Sequence, residues 1–504
     1  MCMGLVMCNG LLMPVSGNGS EGYQGPVETL HVYVVAGDVA SWGDVPASND
    51  TAQVMARCYI LSEAGQWDAA RVPVAGDAGA TPVVGTGLGF AKAMLAQSPD
   101  ISIGLAFCAV ENTMIEDWHP KSAFHRLIRK RAKEASKQGT LKGILWRHGS
   151  SVRLSALDHL KDLVTNIRAD QAALNLPFVV GEVPGNPAMN TQLTALATDV
   201  HAVGVARLDG VESDLSSLGP RYAEQVLAIQ KEWDGKSARL VRSGIPLIDA
   251  HIHGSSNAEN GLDIVATWMA QNNVSHAITH DLVPTRVDSE AQRTFMRANF
   301  VKYKGRILWF TFIEPEEVSS VEDAVAILER EKADGAIGFG EHYGVNRMFD
   351  DPANLRLFAA CDKVGLPVMF HIDSNKNMVE KGMRRVGRVL AMFPNVNFIA
   401  HADWWRYLPE GTCDRMLQDY PNLYADVSGL GMVAVLNRDR GYTEDFLTRH
   451  ADRILFGSDE GWWSFGKGGE ILTLELLEQL NLPPDVRHKI YRGNAERLFG
   501  LASD

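Results

Sequence analysis

His251 and His253 are separated by one residue and close an apolar run, "IPLIDAHIH". In a strand, residues i and i+2 point to the same face, so both imidazoles would project together from the strand's C-terminal end. That arrangement suits a metal and is an odd way to end a hydrophobic element. A single His-x-His is weak, because most such pairs are surface residues, so further ligands must come from elsewhere. The ends of later apolar runs supply them. Glu341 and His342 follow "GAIGFG", His371 ends "LPVMFH", His401 ends "VNFIAH", and Asp459 lies in "RILFGSDE". Imidazoles with a carboxylate fit zinc first, with manganese or iron as alternatives. Such an ion lowers the pKa of a bound water from 15.7 towards about 7, which gives a nucleophile at neutral pH.

These residues can meet only if the strands carrying them are parallel neighbours. From Ile245 onward eight strand-like runs alternate with mostly helical stretches: "IPLIDAHIH", "VSHAITHDL", "RILWFTFIEP", "GAIGFGEH", "LPVMFHID", "VNFIAHAD", "NLYADVSG" and "RILFGSDE". Eight β/α units in roughly 250 residues is the size of a TIM barrel, whose chemistry sits at the C-terminal ends of its strands. Residues 245–504 are therefore expected to form a (β/α)8 barrel with the polar residues on one rim. Upstream, "LHVYVVAG", "ISIGLAFCAV", "LKGILWRHG" and "LPFVVGEV" read as buried strands. "GLGFAKAMLAQ", "HRLIRKRAKEASKQ" and "LDHLKDLVTNIRADQAAL" read as helices. Strand and helix in alternation predict a doubly wound α/β domain over 26–230. The charged, glycine-containing stretch 231–244 reads as a linker and 1–25 as a disordered tail or signal-like remnant.

The second half resembles the amidohydrolase superfamily, in its amidohydrolase-related branch, which includes hydrolases and non-oxidative decarboxylases. The resemblance rests on "IDAHIHG", "LPVMFHID", "NVNFIAHAD", "DRILFGSDEGWW" and "RGNAERLFGL", in the family's order. It implies that His251, His253, His371 and Asp459 bind one metal and that His401 contacts the water or substrate. It also makes Glu341 a candidate bridge to a second metal. Asp459 would take a proton from the attacking water and return it to the leaving group. Trp404, Trp405, Trp462 and Tyr343, beside those ligands, are candidates for a stacking wall. Arg406 and Arg347 are candidate anion clamps.

The first half resembles sialate O-acetylesterase-like carbohydrate esterases, an SGNH-type α/β fold, through "VYVVAGDVASWG", "VGTGLGFAKAMLAQ", "GTLKGILWRHG" and "LGPRYAEQV". The catalytic positions depart from that pattern. Where the family has its serine nucleophile in Gly-Gln-Ser-Asn-Met, this chain has Gly37, Asp38, Val39, Ala40 and Ser41. The Trp-His-Gln-Gly-Glu motif becomes Trp146 to Ser150, the oxyanion loop becomes Glu111, Asn112 and Thr113, and His-Phe-Asp becomes Arg207, Leu208 and Asp209. Valine is no nucleophile, and serine esterase chemistry needs nucleophile, base and oxyanion donors together. An inactive esterase-like domain is expected, kept as a scaffold, dimerisation surface or binding module.

The remaining numbers bound the answer. The 504 residues exceed one ordinary core, and a net charge of −13 gives no nucleic-acid footprint. No apolar run approaches the ~18 residues of a membrane span. The six cysteines have no framework spacing and read as buried thiols. The compartment does not follow from the sequence: the cytoplasm is the default, and export the alternative if the N-terminus is a truncated signal peptide. The expected partner is a small molecule, glycan-derived or an aromatic acid, with a homo-oligomer as a further expectation. Three functions remain open: a metal-dependent hydrolase of an ester, amide or lactone, a metal-dependent decarboxylase, and a non-catalytic carbohydrate-binding protein.

Overall fold

A computed structural model describes residues 22–38, 54–71, 85–119, 122–148, 156–209, 218–237, 242–254, 262–280, 294, 297–298, 301–303, 305–343, 347–371, 380–401, 411–461, 463–465 and 471–501. The chain divides into two units, Met1–Arg239 and Leu240–Asp504.

The first unit is built on seven strands: β1 (Leu30–Gly37), β2 (Val54–Leu61), β3 (Trp67–Arg71), β4 (Ser102–Phe107), β5 (Thr140–Arg147), β6 (Phe178–Gly181) and β7 (Val203–Ala206). Their order is β3-β2-β4-β1-β5-β6-β7, all parallel except the β2–β3 pair. β1 lies between β4 and β5 and is buried almost throughout, as its unbroken apolar sequence requires. Two apolar clusters cover the two faces, one around Val32, Trp146 and Leu163, the other around Tyr33, Phe90 and Tyr222. The first unit is thus the expected α/β fold, with a mixed sheet. The helix Gly219–Ser237 continues through the first half of the stretch read as linker.

Gly37 is a position that admits no side chain. Its φ is +103°, and a Cβ there would meet the Arg147 carbonyl oxygen at 2.0 Å. The close approach pins the ends of β1 and β5 together, and Asp38 N–H donates to the same carbonyl at 3.0 Å.

The second unit carries β8 (Leu247–His253), β9 (Val274–Thr279), β10 (Ile307–Thr311), β11 (Gly338–Tyr343), β12 (Val368–His371), β13 (Phe398–His401), β14 (Leu423–Asp426), β15 (Ile454–Leu455) and β16 (Glu460–Gly461). All pairings are parallel, in the order β15-β14-β13-β12-β11-β10-β9-β8-β16. The two end strands are pieces of one run, residues 454–461. That run pairs with β14 through Ile454 and Leu455, and with β8 through Glu460 and Gly461. Ala250 N–H to Phe456 O and Asp459 N–H to His251 O, both 2.9 Å, fill the interval. Eight strand positions therefore close into the expected barrel.

Helices between the strands carry their own start and stop signals. Ser320 caps Val321–Ala333 through a capping box with Asp323. Pro352 opens Pro352–Val364 behind Asp351, and Gly365 ends it in the left-handed conformation. The barrel floor is apolar, with Ile248, Ile278, Leu308, Met369, Ile399 and Leu455 in one cluster. Cys58, Cys108, Cys361 and Cys413 are buried free thiols. Among the described residues no helix is long and apolar enough to cross a membrane.

Candidate metal centre

Met369 and Ile399 belong to the floor, and His371 and His401 lie two residues further along the same strands. The alternation that sends the first pair inward therefore sends the second pair inward at the rim. β12 and β13 are in register there, with His371 opposite His401. His251 and His253 end β8, and their Nε2 atoms face each other at 3.3 Å. The His251 and His401 rings stack with centroids 3.6 Å apart.

Glu341, at the end of β11, is the hub of the cluster. Its carboxylate lies 3.6 Å from His251 Nε2, 3.9 Å from His253 Nε2 and 3.7 Å from His401 Nε2, and it pairs with His371 Nδ1. Asp459 joins the cluster with its Oδ1 3.0 Å from His253 Nε2. Asp459 holds a left-handed φ of +59°. Gly429, at φ +82°, makes room for it, since a Cβ there would press on Oδ2 at 2.9 Å. Donor atoms from His251, His401 and Asp459, from His251, His253 and Glu341, and from Glu341, His371 and His401 fall into three overlapping groups, each with its atoms within 4.8 Å. The four residues expected as one ligand set do not form a single such group. His371 joins the rest through Glu341 and His401.

The outer nitrogens are fixed by acceptors. His251 Nδ1 lies 3.1 Å from Asp426 Oδ2, His253 Nδ1 donates to the His280 carbonyl at 2.6 Å, and His401 Nδ1 lies 3.0 Å from Asp426 Oδ2 and 2.7 Å from Ser428 Oγ. A proton on Nδ1 leaves a lone pair on Nε2. The Nε2 lone pairs of His251 and His253 therefore converge on one point, where they need positive charge between them. Nitrogen ligands around tetrahedral zinc stand about 3.4 Å apart, close to the spacings here. The residues fit a divalent ion.

Electrostatics agree. Burial opposes ionisation of Asp426, but its electrostatic interaction with His401 and hydrogen bonds from His251 and His401 hold it far below the carboxylate range. Glu341 behaves likewise: burial is outweighed by His401 and His371. Asp459 is also lowered, its burial offset chiefly by the hydrogen bond from His253. For His251, burial works against protonation, and its bonds with Asp426 and Glu341 reverse the balance; a proton on Nε2, shared with Glu341, takes the place that a cation would otherwise fill. The carboxylates are ready to face a cation.

His342, counted with the cluster from its place after the β11 run, lies apart from it. It packs on Phe358 with ring centroids 5.3 Å apart, and burial lowers its pKa to about 4. As neighbours on one strand, Glu341 and His342 take opposite faces. Arg347 is engaged by Glu316 and by Asp351 at 3.3 Å. Trp404, Trp405, Arg406 and Trp462 lie outside the described residues, and Tyr343 closes β11. In the first unit Val39 and Ser41 lie outside the described residues, and Asp209 is exposed.

Sequence reasoning passed over three contributors. Asp426 ends β14 and orients two histidines, Ser428 follows it, and His280 follows β9 and stacks on His251 at 4.4 Å. All three obey the same signal, a polar residue within two positions of the end of an apolar strand.

A closed parallel barrel with metal-type donors on its C-terminal rim defines a metal-dependent class of enzyme fold. The chain belongs to the amidohydrolase family, whose model matches residues 248–501. A second family model, carbohydrate esterase, sialic acid-specific acetylesterase, matches residues 29–262. Among solved structures, the chain is similar to a protein of Arabidopsis thaliana at 21% identity, over 40% of this chain and 98% of that one, with a TM-score of 0.33. It is also similar to a 5-carboxyvanillate decarboxylase of Novosphingobium aromaticivorans complexed with manganese (13% identity, 52% and 99% coverage, TM-score 0.38). A dihydroorotase of Campylobacter jejuni matches at 16% identity, over 51% of this chain and 84% of that one, with a TM-score of 0.38. No curated protein matches the chain.

Proposed function

We propose that the barrel is a metal-dependent hydrolase of an ester, amide or lactone bond. A divalent ion at the rim, zinc first, would activate a water and polarise a carbonyl. His251, His253, His371 and Asp459 would hold it, with Glu341 and His401 linking His371 to the others. Asp426 keeps His251 and His401 presenting Nε2 inward, and the His280 carbonyl does so for His253.

One observation carries the hydrolytic reading: Asp459 joins the cluster through a hydrogen bond with His253 and keeps a partly exposed carboxylate. A carboxylate placed there can accept a proton from an attacking water and return it to a leaving group. His401, stacked on His251, presents its Nε2 lone pair to the same space and can accept a hydrogen bond from an attacking water. The esterase-like unit is proposed to be inactive: Val39 stands at the nucleophile position and Arg207 where the base belongs.

Metal content of the purified, unchelated chain by plasma mass spectrometry, followed by ester, amide and lactone screens beside a CO2-release assay, tests the reading. About one ion per chain with hydrolytic turnover that His253→Ala abolishes supports it. CO2 release without hydrolysis assigns the site to a decarboxylase instead, and absence of metal after refeeding ends the catalytic reading.

A further inference from the structure

Asp249, in the middle of β8, is a carboxylate with no exposed surface. Burying such a group is costly unless its oxygens find donors. The donors here come from the backbone, and β8 shows why they are free. Ile248 and Ala250 belong to the apolar floor, whereas His251 and His253 face the metal centre. Strict alternation would send His251 to the face opposite Ala250. A bulge removes the conflict. Asp249 pairs with Ala277 and Ile252 with Thr279, so β8 advances three residues where β9 advances two. Such an insertion re-aims the side chains that follow it and takes backbone groups out of the ladder.

Asp249 takes up what the bulge releases. The His251 N–H donates to Asp249 Oδ1 at 3.0 Å, a turn closed by a side chain onto the backbone two residues on. The same oxygen accepts the Ser458 N–H at 3.0 Å, and the Ser458 hydroxyl hydrogen bonds this carboxylate as well. Ser458 Oγ in turn accepts the Glu460 N–H at 3.1 Å. Between Ser458 and Glu460 stands Asp459, whose own N–H donates to His251 O at 2.9 Å. Both backbone groups of His251 are thereby fixed, the N–H by Asp249 and the carbonyl by Asp459. The residues on either side of Asp459 are tied back to Asp249. Asp459 needs such ties, because its φ of +59° is one that side-chain-bearing residues seldom adopt.

We propose that Asp249 is a positioning residue for the metal centre: it holds the bulge that turns His251 and His253 inward and sets Asp459, on the closing run, against them. The role rests on the reading of the rim as a metal centre. It requires one acceptor oxygen shared by two amides. The isosteric amide of asparagine offers that oxygen and closes the same side-chain turn. Leucine, of similar size, offers none and would leave both N–H groups buried and unpaired.

The test uses the full chain and two readouts: zinc affinity by competitive chelator titration, and amide exchange over 247–254 and 454–461 in the metal-free protein. Asp249→Leu should lose about 10–100-fold in zinc affinity, the scale for removing a group that orients metal ligands. It should also exchange faster over both segments. Asp249→Asn should stay within about threefold of wild type, well below that scale, and keep its protection. Leu308→Ala, on the barrel floor, is the stability control: it should melt lower and keep its zinc affinity. If Asp249→Leu does not fold, Asp249→Ala takes its place with the same expectation. Wild-type affinity or unchanged exchange in the leucine variant, an equal loss of affinity in Asp249→Asn, or an equal loss in Leu308→Ala would each overturn the assignment. A wild type that takes up no zinc would end the metal reading and this role with it. That result is told apart from failure of the tie by an exchange contrast between Asp249→Leu and Asp249→Asn that persists without metal.

Discussion

Asp426→Asn isolates the structural argument for the metal centre, because it changes one atom in a buried residue that touches no substrate-facing space. The carboxylate accepts from two imidazoles, His251 Nδ1 at 3.1 Å and His401 Nδ1 at 3.0 Å. An amide has one carbonyl oxygen and two N–H donors. It can keep one imidazole in its present tautomer, while the other meets an N–H and must move its proton to Nε2, the nitrogen that faces the cluster. Loss of an outer hydrogen bond to a metal-ligating histidine costs 10–100-fold in affinity, or about 1.4–2.7 kcal/mol. The upper end is expected here, because the lost group is charged and wholly buried. A competitive chelator titration against zinc, read by plasma mass spectrometry on equilibrated protein, measures the constant directly. Ser428→Ala is the control: Ser428 supports His401 alone, at 2.7 Å, so its effect should be the smaller. Zinc affinity of Asp426→Asn within threefold of wild type, in a protein that still melts cooperatively, would refute the tautomer argument.

Other expectations reach different parts of the molecule. Asp459→Asn should lower kcat by about 10²–10⁴-fold with KM little changed, since general-base steps contribute on that scale; steady-state kinetics on whichever substrate the screens find will show it, and unaltered kcat removes the proton-transfer role. His148 is buried and its pKa is lowered to about 4 by desolvation, against 6.5 when unfolded. Between those values the unfolded chain binds a proton that the folded one refuses, so stability is full above 6.5 and declines as pH falls towards 4. From pH 7 to pH 5 the loss from this group should be about 2 kcal/mol, absent in His148→Gln, and measurable by urea titration with hydrogen exchange read at β1 and β5. Gly37→Ala places a Cβ 2.0 Å from the Arg147 carbonyl at φ +103°; a destabilisation of about 2–4 kcal/mol is expected, and a melting temperature equal to wild type contradicts the close approach.

The barrel was legible because its strands are buried on both sides and read as apolar runs that stop at a polar residue. All eight runs are strand positions, and the rim residues followed from where the runs end. In the first unit β1, β4, β5 and β6 were visible for the same reason. β2 and β3 were not: β2 is largely exposed over "VMAR", and β3, "WDAAR", is a five-residue antiparallel edge without alternation. β7 is only "VGVA", too short to register. The charged residues 231–237 resembled a linker because they form the last turns of a helix whose buried face ends at Ile229. At the centre, attention to histidines hid the carboxylate that aligns them. Asp426 was in plain view at the end of "NLYAD", yet sequence alone does not show which carboxylate lies under two imidazoles from distant strands. The tightness of the His251–His401 stack is likewise a product of three-dimensional closure.

The divided eighth strand has a kinetic consequence. Residues 454–461 meet β14 with their first two residues and β8 with their last two, and Asp459 lies between, bonded through its amide to His251 O. This is the seam of the barrel, held by fewer ladder bonds than any longer strand would offer. Metal-type donors stand on both sides of it, His251 and His253 on β8 and Asp459 on the closing run. A bound ion would act as a clasp across the seam. Amides of 456–461 should then exchange slowly in the loaded protein and quickly after chelation, while β12 and β13 stay protected in both. Metal supply would set how long the barrel resists proteolysis as well as whether it turns over.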